Sequence, residues 1–143
     1  MKAPSPREAF GSEEEKSIYK CIEYYRSKKM DPPYDGIFQK GFENLFSKKM
    51  NSNGYTCAVS SGSSACYLAI KSLELPNNST VLVSPVSDSS SVISILLAGL
   101  RPVIVDTQKE SYNSSLIEFE QAYSSDVSAI YLVHTYGNPA DVM

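Results

Sequence analysis

The sequence predicts an α/β fold in which helices flank a parallel sheet and two further helices precede that sheet. From residue 55 onward, short apolar segments rich in β-branched residues alternate with segments whose apolar residues recur at helical spacing. This alternation is typical of a parallel sheet, because a helix commonly forms each crossover between parallel strands. Residues 1–54 show only the helical spacing. The chain therefore divides into an N-terminal helical segment, residues 1–54, and an α/β domain, residues 55–143.

The N-terminal segment is predicted to contain two amphipathic helices. The first spans residues 12–29, where Ser12 is a favoured N-cap residue and Glu15 completes a capping box. Two consecutive prolines follow it and prevent the helix from continuing. The second helix spans residues 37–50, and residues 51–54 form a turn.

The α/β domain is predicted to contain four short strands separated by three helices. The strands are Tyr55–Val59, Val81–Ser84, Val103–Asp106 and Ala129–Val133. The helices between them are Ser63–Leu73, Ser90–Leu100 and Ser115–Tyr123. In such sheets ligands bind at the carboxyl ends of the strands, so the loops after the four strands hold the candidate functional residues.

The composition indicates a globular protein and argues against two classes of partner. Hydrophobic residues make up 42% of the 143 residues and charged residues 20%, with a net charge of −3. No basic stripe indicates nucleic-acid binding, and no apolar run approaches the roughly 18–20 residues that span a bilayer. The N-terminal stretch Met1–Pro6 does not have the pattern of a signal peptide. The three cysteines fit neither a metal-ligand spacing nor a disulfide framework, which agrees with a reducing cytoplasmic compartment.

The first strand-end loop, Ser60–Ala65, predicts an anion site. It consists of small residues and lies between an apolar strand and an amphipathic helix. Small residues leave backbone N–H groups accessible at the start of that helix, where the helix dipole also favours negative charge. A phosphate group fits such a position.

The other strand-end loops contain many polar residues, but they lack the sequence patterns of several common active sites. A Ser-His-Asp hydrolase would need His134, the only histidine, and a Gly-x-Ser-x-Gly turn that the sequence lacks. The glycine patterns of dinucleotide-binding and P-loop sites are also missing. His134 and Asp141 leave two alternatives open. In the first, both residues are ligands of a metal. In the second, His134 is hydrogen-bonded at a strand end and Asp141 caps a helix. The second is favoured, because two possible ligands seven residues apart are weak evidence for a metal site.

Five sequence motifs in these loops occur in a fixed order. They are Ala58–Ala65, Val83–Asp88, Ala98–Asp106, Ser111–Asn113 and Val133–Asp141. In this order and spacing the sequence resembles the DegT/DnrJ/StrS family of pyridoxal-phosphate-dependent sugar aminotransferases, whose typical text reads SSGTAA, VxxP, aGxxPVFxD, tYN and VHxYGxPAD. The resemblance runs from about Pro6 to the last residue. It implies that residues 55–143 form an incomplete large domain of a fold-type-I enzyme that binds pyridoxal phosphate.

The resemblance also implies a cofactor, substrates and site residues. The cofactor would be pyridoxal 5′-phosphate, and the family's phosphate-binding Gly-Thr-Ala loop is matched by Gly62, Ser63 and Ser64. Ser87 and Asp88 would lie near the cofactor ring, and His134 would lie at the edge of the site. The substrates would be a nucleotide-linked keto-sugar and an amino acid that donates nitrogen, in the synthesis of amino sugars or surface polysaccharides. A full-length protein would form a homodimer or a higher assembly.

The sequence departs from the family at two places. Many members carry an aromatic residue that stacks on the cofactor ring, but this chain has Asp88-Ser89-Ser90 there, so no stacking residue is identified. The family's Asp that pairs with the pyridine nitrogen and its Schiff-base Lys lie beyond the segment that ends at Asp141. Neither Lys71 nor Lys109 is placed to replace that lysine. Because transamination needs both groups, we expect this chain alone to be inactive.

Three functions therefore remain open at the level of the sequence. They are the N-terminal part of a sugar aminotransferase, a non-catalytic remnant or interaction fragment, and a pyridoxal-phosphate-dependent sugar dehydratase of the same fold. In this fold class the first strand lies beside strands that follow Asp141 in sequence. We therefore expect the segment 55–59 to lack its neighbours and apolar helix faces to be open to water.

Overall fold

The structure is a computed structural model, and it describes residues 10–142. The stretch Met1–Pro6, which is predicted not to be a signal peptide, lies outside these residues. The first and last residues of the family resemblance, Pro6 and Met143, also lie outside them. Contacts within the chain divide it into two compact units, Met1–Ala58 and Val59–Met143.

The first unit contains the two predicted N-terminal helices, α1 (Ser12–Lys28) and α2 (Ile37–Lys49). The capping box predicted from Ser12 and Glu15 is wrong by one residue. Gly11 is the N-cap residue, and its N–H donates to the Glu14 carboxylate at 2.8 Å. Glu13, Glu14 and Glu15 are consecutive, and the sequence does not show which of their carboxylates accepts the N–H of the N-cap residue.

Aromatic rings join α1 to α2 inside the first unit. The ring centroid of Phe38 lies 5.7 Å from that of Tyr24 and 5.9 Å from that of Tyr25. Tyr25 is buried, and a Cβ on Gly36 would collide with its hydroxyl. Glycine is therefore required at position 36 for the close approach of the α2 N-terminus to α1.

The predicted strand Tyr55–Val59 is wrong, since these residues form no strand. A strand needs a neighbour that pairs with its backbone groups. Here the Ala58 N–H donates instead to the Glu43 carboxylate of α2 at 2.8 Å. This bond, followed by one from the Gln39 amide, lowers the pKa of Glu43. The outcome agrees with the expectation that the segment lacks its neighbouring strands.

The second unit contains a parallel three-stranded sheet and three helices, which confirms the predicted α/β class. The strands are β1 (Thr80–Val83), β2 (Arg101–Ile104) and β3 (Val127–Tyr131), and the helices are α3 (Gly62–Lys71), α4 (Ser89–Leu97) and α5 (Leu116–Ala122). The strand order is β2-β1-β3, and both pairings are parallel. A short 3-10 turn, Thr135–Gly137, follows β3.

Strand β1 forms the centre of the core because all four of its residues are buried. Val81 and Val83 point to one face of the sheet and pack in a cluster with residues of α3 and α4. Leu82 points to the other face and packs with Val105 and with Phe119 of α5. The side chains alternate between the two faces of the sheet, so one short strand supports helices on both sides.

Large apolar side chains of the second unit are also open to solvent. On α4, Ile93, Leu96 and Leu97 are 49–67% exposed. Exposed apolar residues also occur on α5 and on the two outer strands, namely Leu116, Ile117, Ile104 and Ile130. This confirms the expectation that apolar helix faces lie open to water.

Asp126, which immediately precedes β3, joins the amino ends of all three strands. Its carboxylate accepts hydrogen bonds from Ser124 Oγ at 2.5 Å and from Thr80 Oγ1 at 2.6 Å. It also pairs with the guanidinium of Arg101, the first residue of β2. The bond from Ser124, followed by that from Thr80, lowers the pKa of Asp126 to about 2. The carboxyl ends of the strands, where ligands bind in such sheets, lie at the opposite edge.

Candidate functional site

The predicted phosphate-binding residues form the first turn of α3. Gly62, Ser63 and Ser64 are its first three residues, and Ser61 is the N-cap residue. The Ser64 N–H donates to Ser61 Oγ at 3.1 Å, whereas the amides of Gly62 and Ser63 donate to no acceptor within residues 10–142. A Cβ on Gly62 would meet nothing within 4 Å, so the space beside these amides is open. The predicted anion site therefore has two accessible donors and, beside them, the Ser63 and Ser64 hydroxyls.

Ser87 and Asp88 lie in the loop between β1 and α4. Asp88 is the N-cap residue of α4, and its carboxylate accepts the Ser90 N–H at 2.9 Å. The hydrogen bonds from the Ser90 side chain and backbone lower the pKa of Asp88. Asp88 is therefore ionised at neutral pH.

His134 and Asp141 each accept a hydrogen bond from a backbone N–H. His134 Nδ1 accepts the N–H of the buried residue Ala140 at 3.0 Å. The Asp141 backbone carbonyl accepts the N–H of Leu116, the first residue of α5, at 3.0 Å. Within the described part of the chain, no cluster of three or more histidine, cysteine or acidic side chains could hold a metal ion. His134 is thus a hydrogen-bonded histidine after β3, whereas Asp141 contacts α5 through its backbone carbonyl and the N-cap residue of that helix is Ser115.

Asn113 clamps the segment that contains His134. Its side chain is buried, accepts the Thr135 N–H at 2.9 Å and donates to the Asn138 carbonyl at 2.8 Å. Thr135 is also buried, and its hydroxyl donates to the Val86 carbonyl at 3.0 Å. The loops after β1, β2 and β3 are thereby linked by hydrogen bonds.

A cavity of about 390 Å³ opens between the loops after β1 and β3. Its lining residues are Val86, Ser87, Asp88, Val133, Thr135 and Tyr136. Ser87 and Asp88, two of the predicted site residues, therefore line one cavity, and the neighbours of His134 line its other side. Its volume lies within the range of small-molecule sites.

A half-buried tyrosine of β3 contacts the first half of α3. The Tyr131 hydroxyl donates to Cys66 Sγ at 2.9 Å. Burial, followed by the bond to Cys66, raises the pKa of Tyr131. The helix that begins with Gly62–Ser64 is thus hydrogen-bonded to β3.

Lys71 lies at the far end of α3 from this site. Its ammonium donates to the Ala98 carbonyl at 3.5 Å. Because a helix rises about 1.5 Å per residue, the length of α3 separates Lys71 from Gly62. This agrees with the expectation that Lys71 does not replace the family's cofactor-binding lysine.

Three residues of the site were not predicted from the sequence. Ser61 could have been found, because serine one residue before a helix is a favoured N-cap. Asn113 lies in one of the five motifs, but the sequence does not predict its hydrogen bonds, because their partners, Thr135 and Asn138, come much later in the chain. The sequence does not indicate the hydrogen bond of Tyr131, because a tyrosine is common in an apolar strand and its partner, Cys66, is distant in sequence.

Comparison with known proteins identifies the family. The profile of the DegT/DnrJ/EryC1/StrS aminotransferase family matches residues 12–143. The chain belongs to this family. The match includes α1, α2 and the whole sheet, and it confirms the resemblance and the fold. Pyridoxal phosphate is the cofactor that the family indicates.

Several relatives within the family have curated names or solved structures. GDP-perosamine synthase of Escherichia coli O157:H7 is 33% identical over 107 residues, which are 75% of this chain and 29% of that protein. UDP-N-acetyl-3-dehydro-alpha-D-glucosamine 3-aminotransferase of Acidithiobacillus ferrooxidans is 33% identical over 90 residues, 63% of this chain and 24% of that protein. The structure of E. coli GDP-4-keto-6-deoxy-D-mannose-3-dehydratase with bound hydrated pyridoxal phosphate superposes with a TM-score of 0.78 at 28% identity, covering 96% of this chain and 35% of the other. This chain thus spans about a third or less of these relatives' lengths.

Among residues 10–142, none of the helices combines the length and the apolar character needed to cross a membrane.

Proposed function

We propose that this chain is the N-terminal part of a pyridoxal-phosphate-dependent aminotransferase that acts on a nucleotide-linked keto-sugar, with an amino acid as nitrogen donor. The observation that best supports the proposal is the set of hydrogen-bonding groups at the start of α3. Two accessible amides stand there beside two serine hydroxyls, in a chain that belongs to an aminotransferase family. The names of the two curated relatives, which contain GDP and UDP, support a nucleotide-sugar substrate.

Each predicted residue has a role that its surroundings allow. The amides of Gly62 and Ser63 and the hydroxyls of Ser63 and Ser64 bind the cofactor phosphate. Asp88 and Ser87 face the ring from the loop after β1, and His134 lies at the edge of the site. When bound, the cofactor supplies an electron sink for the reacting carbon. The lysine that would tether it is supplied by a part of the protein outside this chain, so the chain alone is inactive.

A sugar dehydratase of the same fold is the second candidate. The E. coli dehydratase covers 96% of this chain at 28% identity, so the likeness extends beyond the fold alone. The residues proposed to bind the cofactor are the same in both candidates, and the difference lies in the reaction.

A proline at position 62 tests the phosphate site directly. Position 62 begins α3, where proline is well tolerated, and the preceding residue, Ser61, is already extended. Gly62→Pro therefore removes one accessible amide and leaves the helix intact, while Gly62→Ala keeps that amide. The ligand is 4′-deoxypyridoxine 5′-phosphate, which lacks the aldehyde and so reacts with no lysine. We expect Gly62→Pro to weaken its binding roughly tenfold by fluorescence titration, and Gly62→Ala to bind like the wild type.

The dephosphorylated ligand and a serine control complete this experiment. 4′-Deoxypyridoxine should bind much more weakly than its phosphate. Ser72→Ala, at the other end of α3, should leave binding unchanged, whereas Ser63→Ala should weaken it. Equal binding of the two ligands, or equal affinity of Gly62→Pro and Gly62→Ala, would refute the phosphate site.

The two reactions are distinguished with a version of the protein that extends beyond Met143. An amino acid labelled with ¹⁵N transfers its label to the sugar product of an aminotransferase. A dehydratase instead yields a sugar product that has lost water and carries no label. A product of neither kind, together with no cofactor binding, would favour the non-catalytic interaction fragment.

A further inference from the structure

Tyr136 adopts a backbone conformation that a bulky residue rarely takes. Its φ is 55° and its ψ is 26°, in the left-handed region that favours glycine and asparagine, and Gly137 follows with a φ of 76°. The Tyr136 side chain is 75% exposed, so burial does not compensate for the strain. Such a residue persists only where the surrounding structure holds it, and strain of this kind clusters at binding sites.

Bonds on both sides of Tyr136 hold it in this conformation. The Asn113 side chain binds Thr135 on one side and Asn138 on the other, at 2.9 and 2.8 Å. The backbone turn adds a bond from the Gly137 N–H to the His134 carbonyl at 2.9 Å. The position of Tyr136 is therefore set by the buried amide of Asn113, which is 3% exposed.

Tyr136, held in this way, lines the cavity between the loops after β1 and β3. The opposite side carries Ser87 and Asp88, and Val86 and Val133 add apolar surface. The edge of the Tyr112 ring meets the Tyr136 ring with centroids 6.1 Å apart, which further limits how that ring can turn.

The charge of the cavity determines which ligand it accepts. Among the described residues that line it, Asp88 is the one that carries a charge, and its lowered pKa keeps it ionised. A phosphate or carboxylate placed here would be repelled. A six-membered ring that bears hydroxyl groups and no negative charge can lie against Tyr136 and donate to the Asp88 carboxylate.

We propose that Tyr136 is a ligand-contacting residue, that the cavity it lines binds a hydroxylated six-membered ring without negative charge, and that Asn113 is the positioning residue that holds Tyr136 in place. This inference rests on the proposed function, which offers two sources for such a ring, the cofactor and the sugar. The anionic phosphate binds elsewhere, at the start of α3.

The test uses substitutions at position 136 that separate the ring from the backbone. Tyr136→Asn removes the ring but keeps a residue that tolerates the left-handed conformation, and Tyr136→Phe keeps the ring. Tyr123→Asn makes the same change at an exposed tyrosine that does not line the cavity. The probes are 4′-deoxypyridoxine 5′-phosphate for the cofactor ring and GDP-mannose, measured against GDP, for the sugar ring.

We expect Tyr136→Asn to weaken binding of one probe roughly three- to tenfold. We also expect its melting temperature to equal or exceed that of the wild type. Tyr136→Phe and Tyr123→Asn should bind like the wild type. The weakened probe identifies the source of the ring. Unchanged binding of both probes by Tyr136→Asn, while Gly62→Pro still weakens the phosphate probe, would overturn the inference and leave the proposed function standing. Failure of the wild type to bind either probe would overturn both.

A double substitution tests the positioning role of Asn113. Asn113→Ala should weaken binding of the same probe in the wild-type background, because Tyr136 is no longer held. In the Tyr136→Asn background it should cause no further loss of affinity, although it still lowers the melting temperature. Additive losses of affinity would show that Asn113 does not act through Tyr136.

Discussion

At the scale of single residues, Asp126 links the stability of the sheet to pH. An aspartate in an unfolded chain has a pKa of about 3.9, whereas the hydrogen bonds from Ser124 and Thr80 lower the pKa of Asp126 to about 2. A depressed pKa in the folded state means that the stabilisation is fully present above about pH 4. It is lost as the pH falls from there toward about 2.

Replacing Asp126 should therefore matter at neutral pH and not in acid. We expect Asp126→Asn to lower the midpoint of urea unfolding at pH 7, and the difference from the wild type to shrink toward zero near pH 2. The control is Asp106→Asn, because within residues 10–142 the Asp106 carboxylate accepts only from the N–H of the next residue, Thr107, at 2.7 Å. A difference that stays constant over this pH range would contradict the assignment.

Two adjacent serines have opposite roles in stability. Ser114 is fully buried, and its hydroxyl has no hydrogen-bond partner within the described residues. Ser115 is the N-cap residue of α5 and takes part in a capping box with Glu118. We expect Ser114→Ala to raise the free energy of unfolding by about 1 kcal/mol and Ser115→Ala to lower it by about 1 kcal/mol. Chemical denaturation of the two variants measures both values, and a loss of stability in Ser114→Ala would contradict the first.

At the scale of elements, the Tyr131–Cys66 bond joins β3 to α3. A double-mutant cycle with Tyr131→Phe and Cys66→Ala should give a coupling free energy of about 1 kcal/mol. Tyr131→Phe should also slow the reaction of Cys66 with a thiol reagent, since the reactive thiolate loses the hydroxyl that donates to it, while the exposed Cys57 reacts at an unchanged rate. A coupling near zero would show that the two groups contribute independently.

The elements that the sequence predicts well are those whose signal is local. Strand β1 is an unbroken apolar run, and its four residues are buried. Strand β2 begins two residues earlier than predicted because it includes Pro102, which an edge strand tolerates. Strand β3 ends two residues early, since the Val133 N–H donates to Ser84 Oγ at 3.4 Å. The segment 55–59 has the same local signal as a strand, but a strand also depends on neighbours.

The same distinction holds for the candidate site. The open amides at the start of α3 follow from residues a few positions apart, and the sequence predicts them. The Asn113 clamp and the Tyr131 hydrogen bond depend on partners brought together by the sheet. Residue order alone does not reveal those contacts.

At the scale of the whole molecule, exposed apolar surface should govern solution behaviour. Ile93, Leu96 and Leu97 of α4 present a contiguous apolar face to solvent, and such faces promote association. We expect sedimentation velocity to show self-association that rises with protein concentration. Leu96→Lys combined with Leu97→Lys should reduce it, and the paired change Glu120→Lys with Gln121→Lys on α5 should not. A strictly monomeric wild-type chain would contradict this expectation.

The central place of β1 also has a consequence for the timing of synthesis. Both partners of β1 are translated after it, β2 first and β3 later. On one side its backbone groups find no partner until Ile104 has left the ribosome, and on the other until Tyr131 has left it. Because translation proceeds at roughly 5–20 residues per second, β1 has an unpaired edge for several seconds. During that interval the apolar edge of β1 is open to pairing with other chains.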